Sequence, residues 1–315
     1  VTGRAVRMPT VDDLAPALAV VRANLPATPV VPTENALLKL ESAQPTGSFK
    51  VRGALAALAA LPPETAGVVT ASAGNHALGV AYAAGRLGVP ATVVVPATAS
   101  AAKIEALGRF PVEVHQHGGG YSEAEEYALE LAARGGTFVS AYNDPHVIAG
   151  QGSIGAELRE QVDGPLTIVA PLGGGGLLAG LSLWAATQPD VRVVGVEAAA
   201  SRAVSAAVDA GRIVAVAVGP TLADGLAGNL EPGSITPAVI AEHTAALTVV
   251  SEPEIRQAIR FLAARHGVVA EGAGAVAVAA VLAGRVDATG TVVAVVTGRN
   301  IALPVLAEVL AGEVD

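Results

Sequence analysis

Lysine is scarce in this chain: Lys39, Lys50 and Lys103 are its three examples. Lys50 lies in "QPTGSFKVRG" (44–53), where Thr46-Gly47-Ser48 reads as a turn, Ser48 as a cap and "FKVRGALAALAAL" as a helix. That puts Lys50 in a first helical turn, where the helix dipole disfavours a cation. Burial would lower its pKa further, and a neutral lysine attacks carbonyl groups. Two readings fit the segment alone, a solvated surface charge or a nucleophile.

Two more loop-to-helix junctions carry chemistry. In "LTIVAPLGGGGLLAGLSLWAA" an apolar strand runs into Gly173, Gly174, Gly175 and Gly176, and a helix follows from about Leu177. Glycines let backbone N–H groups converge, and the helix start adds partial positive charge, which together suit a phosphate. No Gly-Lys-Ser/Thr ending is present, so this is not a nucleotide P-loop. Gly174-x-Gly176-x-x-Ala179 also fits a dinucleotide motif, with Glu197 at the spacing of a ribose contact, so a nicotinamide-dependent oxidoreductase competes on this segment. In "ASAGNHALGVAYAAGRLG" (71–88), Ser72, Gly74 and Asn75 offer a hydroxyl, an open N–H and an amide at a helix start. They suit a carboxylate, or simply cap the helix. A phosphate cradle, a carboxylate seat and an activatable lysine are together what pyridoxal 5′-phosphate (PLP) needs to act on an amino acid.

The elements that must position these loops alternate. "GVVT" (67–70), "ATVVV" (91–95), "VEVHQ" (112–116) and "TFVS" (137–140) read as strands, with helices near 75–88, 100–108 and 121–134. A second series follows: "LTIVAPL" (166–172), "VRVVGVE" (191–197), "ALTVV" (246–250) and "TVVAVVT" (291–297). Strand–helix alternation predicts parallel sheets covered on both faces. "TVDD" (10–13) resembles a capping box, and "ALLKLE" (36–41) reads as a strand joining the second unit, so the first unit is inserted. The expected division is 1–42 plus 144–315 for the large unit and 43–143 for the small one. Residues 195–229 show no assignable pattern.

The 315 residues are 52% apolar but 3% aromatic, so alanine and valine must build the core. The net charge of −9, without a basic cluster, excludes a nucleic-acid footprint. The absence of cysteine excludes thiolate nucleophiles and disulfides. Apolar runs such as "GAVAVAAVLAG" (274–284) are too short for a bilayer, and no export signal is visible. A soluble cytoplasmic protein is the expectation.

The same segments resemble the fold-type II PLP enzymes, and within them the threonine/serine dehydratase (serine racemase-like) group. "PTGSFKVRGA" and "ASAGNHALGVAYAA" are the specific matches. "GQGSIGAE" (150–157), "GGGGLLAG", "VVGVE" and "VAEGAGAVAVAA" (269–280) follow in the family's order, over about residues 15 to 312. Val51 and His76 separate the chain from the sulfhydrylases of the same fold type. The resemblance implies two three-layer αβα domains with mostly parallel sheets, tryptophan synthase β-like, with the active site between them.

It also implies roles. Lys50 would be the Schiff-base lysine and acid/base, Phe49 would pack on the pyridine ring, and Asn75 would bond the ring's 3′-oxygen. Gly173 to Gly176 with Leu177 would hold the phosphate. Gly225 and Glu271 would lie near the cofactor, and Thr297 beside the pyridine nitrogen. Ser72, Ala73, Gly74 and His76 would receive the substrate carboxylate.

Three departures stand out. Arg299 replaces a glycine in Thr297-Gly298-Arg299-Asn300 and is expected to point outward. Ala73 replaces a serine that serves racemases as second base. A cation site would keep Glu197 and the Ser201 carbonyl but have Ala203 where relatives have an acid, a thin set for a divalent ion, so a monovalent ion or a purely structural partner for Glu197 fits as well. The implied activity is β-elimination on a small β-hydroxy amino acid such as threonine or serine, giving a 2-oxo acid and ammonia. A lyase or racemase for 3-hydroxyaspartate or an aryl-serine is the alternative. A homodimer without a C-terminal regulatory domain is expected.

Overall fold

The computed structural model describes residues 6–312. The first helical turn, Val11–Asp13, opens on the expected box, with the Thr10 N–H donating to Asp13 Oδ2 at 2.8 Å. It leads into α1 (Leu14–Asn24), β1 (Val30–Pro32) and β2 (Leu37–Leu40). Next come α2 (Lys50–Ala59), β3 (Val68–Ala71), α3 (Asn75–Leu87), β4 (Ala91–Val95) and α4 (Ala101–Leu107). β5 (Glu113–Gln116), α5 (Tyr121–Ala133), β6 (Thr137–Phe138) and α6 (Pro145–Gln161) follow. The second half holds β7 (Leu166–Pro171), α7 (Gly176–Ala185), β8 (Val191–Ala198), α8 (Ala203–Ala210) and α9 (Thr236–His243). It ends with β9 (Ala246–Val250), α10 (Glu252–His266), α11 (Gly272–Leu282), β10 (Thr291–Val296) and α12 (Leu303–Ala311).

Two sheets form, in the orders β1-β2-β10-β7-β8-β9 and β5-β4-β3-β6. All pairings are parallel except β1 with β2. β2 joins the six-stranded sheet beside β10, while Val21 and Leu25, in α1 and just after it, pack in one cluster with Val51 and Leu55 of α2. The edge strand β1 is an addition, since "PVVP" has too few residues to show a period.

The six-stranded sheet is buried on both sides. Val293 and Val295 of β10 face one apolar cluster, while Ala294 and Val296 face the other. That explains why the strand reads as a continuous apolar run rather than an alternating one. The covering helix α11 is likewise apolar on all sides, with Gly272 through Ala280 all buried. Within 195–229 the chain forms α8, then irregular structure with one short turn at Asp224–Leu226.

α2 packs against α3 on one side and α6 on the other. The α2–α6 contact is close: a Cβ added to Gly150 would lie 2.7 Å from the Arg52 carbonyl oxygen. This approach closes a buried ionic box. Arg52 donates through Nε and Nη2 to Glu41, at 2.7 and 2.8 Å, and through Nη1 and Nη2 to Glu157, at 2.7 and 2.8 Å. Lys39 Nζ donates to Glu157 Oε2 at 2.8 Å. All four side chains are buried. Burial pushes the Glu157 carboxyl up, but Arg52 and Lys39 outweigh it and hold it below the ordinary range.

Removing one partner strands the others in a low-dielectric site. Arg52→Met is therefore expected to cost about 3–5 kcal/mol of unfolding free energy, read as a lowered urea midpoint.

Candidate active site

A cleft of about 630 Å³ opens where the C-terminal ends of the two sheets meet. Its walls are the loops that leave β3, β4, β7 and β10, the usual place for a ligand in open α/β sheets. Every residue expected to contact cofactor or substrate lines it: Phe49 and Lys50, the Ser72–His76 loop with Ala73, Gly74 and Asn75, the glycines 173–176 with Leu177, and Gly225, Glu271 and Thr297.

Lys50 is the first residue of α2. The Phe49 N–H donates to the Thr297 carbonyl at 3.0 Å, and Ser48 bridges to Gly298, so the lysine loop is stitched to the end of β10. Lys50 Nζ donates to the Ala141 carbonyl at 2.8 Å and lies 5.2 Å from the Phe49 ring centre. Burial pushes its pKa down to about 8, against the pull of Glu271. Burial likewise lifts Glu271 to about 7, while a hydrogen bond from Asn75 opposes the shift.

Asn75 begins α3, and its Nδ2 donates to Glu271 Oε1 at 2.6 Å. His76 Nε2 pairs with the Val139 carbonyl at 3.1 Å. Burial and the nearby Lys50 push its pKa down to about 3, so the imidazole is neutral. The nitrogen facing Val139 is thus the protonated one. Thr297 is buried, with its hydroxyl 3.4 Å from the Ala273 carbonyl.

The glycine loop ends at Gly175, whose φ of +89° favours glycine, and α7 starts at Gly176. The Tyr142 ring lies flat against the loop: a Cβ on Gly174 would be 2.4 Å from Tyr142 Cδ1. The Tyr142 hydroxyl accepts from the Glu231 N–H at 2.8 Å.

Arg299 turns from the cleft, and its guanidinium donates to the Ser42 and Gln44 carbonyls. Glu197 does not line the cleft. Its Oε1 accepts from the Val204 and Ser205 N–H groups at 3.0 and 3.1 Å, so the carboxyl caps α8. It is therefore not placed to hold a ribose. Its Oε2 has no hydrogen-bond partner, and among the described residues no group of three or more His, Cys, Asp or Glu forms a metal site. One carboxylate oxygen beside the positive end of a helix does not fit a hard cation.

Ala141, Tyr142, Asp224 and Leu226 also line the cleft, and the start of α4 with its cap and the start of α5 add Lys103, Ser100 and Tyr121. The signal for α4 was its position directly after the C-terminal end of β4.

A glycine loop opening one helix, a polar loop opening a second and a lysine with a lowered pKa meet in one cleft, an arrangement suited to enzymes that hold a phosphate-tailed carbonyl cofactor beside a lysine. The chain belongs to the pyridoxal-phosphate dependent enzyme family, whose model matches residues 21–298. It is 45% identical over 269 residues to an L-threonine ammonia-lyase of Thermotoga maritima, covering 84% of this chain and 67% of that protein. Among solved structures it resembles the processed threonine deaminase isoform 2 of Solanum lycopersicum, with a TM-score of 0.90 and 32% identity over 99% of this chain and 98% of that one. Maize serine racemase gives a TM-score of 0.89 and 28% identity, over 96% and 97%.

The Lys50 shift makes a stability prediction. Its folded value of about 8 lies below the ordinary 10.5, so the unfolded chain binds that proton more tightly. Wild-type stability should rise with pH across that window, and below it the buried cation is a cost. Lys50→Met should stabilise the cofactor-free protein at pH 7 by on the order of 1–3 kcal/mol, a gain that fades toward pH 10.5 in thermal melts.

Proposed function

We propose that this protein is a PLP-dependent ammonia-lyase that converts L-threonine or L-serine to a 2-oxo acid and ammonia. The observation that carries the reading is the convergence of Lys50, the glycine cradle and the Ser72–His76 loop in one cleft. The named relatives support the reaction type. The residues also fit the cofactor. Gly173–Gly176 leave the cradle free of side chains, and the first N–H groups of α7 have no helical acceptor.

In this reading Gly173 to Leu177 would hold the phosphate through backbone N–H groups, and Phe49 would pack on the ring. Asn75 would donate to the ring oxygen, with Gly225 and Glu271 near the ring and Thr297 near its nitrogen. When bound, PLP supplies an electron sink for the substrate α-carbon. Lys50 Nζ would remove the α-proton, and burial already disfavours its charged form in the cofactor-free protein. Ser72, Gly74 and His76 seat the carboxylate at the start of α3, fixing which substrate bond faces the lysine. Loss of water across the Cα–Cβ bond and hydrolysis of the C–N bond then give the products.

The neutral His76 is too weakly basic to act as a second base, and Ala73 carries no proton. Elimination needs only the lysine side, so it is favoured over racemisation. The cleft also supports the division at 43 and 143: every strand of the four-stranded sheet lies inside that stretch, and every strand of the six-stranded sheet outside it. Residues 1–5 and 313–315 of the large unit lie outside the described residues.

Purified protein should bind PLP and release ammonia from threonine and serine, and Lys50→Met should abolish release. A PLP-loaded wild type that releases no ammonia from either amino acid would sink this function. Ala73→Ser should raise racemisation measured by chiral chromatography, and unchanged racemisation would remove the role given to Ala73.

A further inference from the structure

Asn300 lines the cleft but has no part in the chemistry above. It lies just beyond β10, and its Nδ2 makes two hydrogen bonds. One goes to the Thr46 carbonyl at 2.9 Å and the other to Asn75 Oδ1 at 2.6 Å. The loop before Lys50 presses directly on this amide: a Cβ added to Gly47 would be 2.5 Å from Asn300 Oδ1. The Asn300 backbone N–H also donates to the Glu271 carboxyl.

These contacts have a direction. A backbone carbonyl can only accept, so the Asn300 group that faces Thr46 must be the NH2. The same NH2 faces Asn75, so the Asn75 atom that meets it must be the oxygen. The Asn75 NH2 is thereby left on the opposite side, where one hydrogen goes to Glu271 Oε1 at 2.6 Å. The second hydrogen remains for a ligand in the cleft. An amide free to turn over would offer a donor in one orientation and an acceptor in the other. The orientation of Asn75 is thus set from two sides, by the Glu271 carboxyl that accepts from its NH2 and, through Asn300, by the carbonyl of Thr46.

We propose that Asn300 is a positioning residue, which sets the amide of Asn75 so that a donor rather than an acceptor meets the ring oxygen of PLP. The inference rests on the Asn75 contact given above. Asn300→Asp is close to isosteric but replaces the NH2 with an acceptor. The new carboxylate draws the Asn75 NH2 toward itself and so turns the amide oxygen toward the ring, a turn that the Asn75–Glu271 bond opposes.

The test uses PLP itself, added to the cofactor-free full chain. Asn300→Asp should raise the PLP dissociation constant about 10–100-fold, as loss of a hydrogen bond to a charged oxygen would. It should shift the visible band of the bound cofactor in the same direction as Asn75→Ala does. Adding Asn300→Asp to Asn75→Ala should give no further loss, because the effect passes through Asn75. Asn300→Ala removes the orienting group without adding charge and should give a smaller loss of affinity.

Asn300 is exposed, so melts of the cofactor-free variants should stay near wild type. Wild-type affinity and band in Asn300→Asp, or losses that add in the double variant, would overturn the proposal while leaving the Asn75 contact intact. An Asn75→Ala protein with unchanged affinity and band would overturn both.

Discussion

Arg52 is the charge on which the cleft depends. It joins Glu41, at the end of the strand that carries Lys39, to Glu157 of α6, and it stands two residues beyond Lys50. Two residues along a helix correspond to a rotation of about 200°. A side chain clamped on one side of α2 therefore aims the lysine out of the other. Two cations and two carboxylates cancel within the box, but each has left water, and attraction between such groups does little more than repay that desolvation. The gain is in geometry. Any rotation or slip of α2 would separate charges that have no other partners of that strength. The lysine is held in the cleft because a mispositioned helix is costly, rather than because the native one is unusually stable.

Burial has the opposite effect inside the cleft. It pushes Lys50 and Glu271 toward their neutral forms, and it is the larger cause in both. Neither group helps the protein fold near neutral pH, since each loses hydration that its neighbours replace only in part. The lysine gains what a base or nucleophile needs, a pKa close to the working pH. The apolar core on the two faces of the six-stranded sheet, rich in Leu and Ile on one and in Ala and Val on the other, offsets that loss by burial.

Much of this was legible in the sequence because it is local. Strands bounded by glycine and proline, and loops that open helices, depend on a few adjacent residues. "TGSFK", "SAGNH" and "GGGG" accordingly fall on the cleft. The ionic box was not legible. Lys39 within "LLKL" and Glu157 within "IGAELRE" look like residues of solvated faces, yet both are buried. Their burial depends on partners more than 100 residues away, as with the 118 residues between Lys39 and Glu157. The α4 wall was missed for a related reason. The composition of "AAKIEAL" does not mark it as lining a site, and its one signal is that it follows the C-terminal end of β4.

A site made from the ends of many loops needs ties across it, and these account for Arg299. The Phe49 N–H donates to the Thr297 carbonyl, the Glu271 N–H to the Gly298 carbonyl, and the Arg299 N–H to the Gly47 carbonyl at 2.9 Å. Each is a backbone bond from the chain around 297–300 to a loop that presents a side chain to the cleft. The Arg299 side chain extends the series by reaching the Ser42 and Gln44 carbonyls. A glycine at that position would keep the backbone tie but lose the guanidinium, which fastens the start of the lysine loop from outside. The residue that departs most visibly from the family pattern therefore stands outside the cleft lining and acts on the lysine's support.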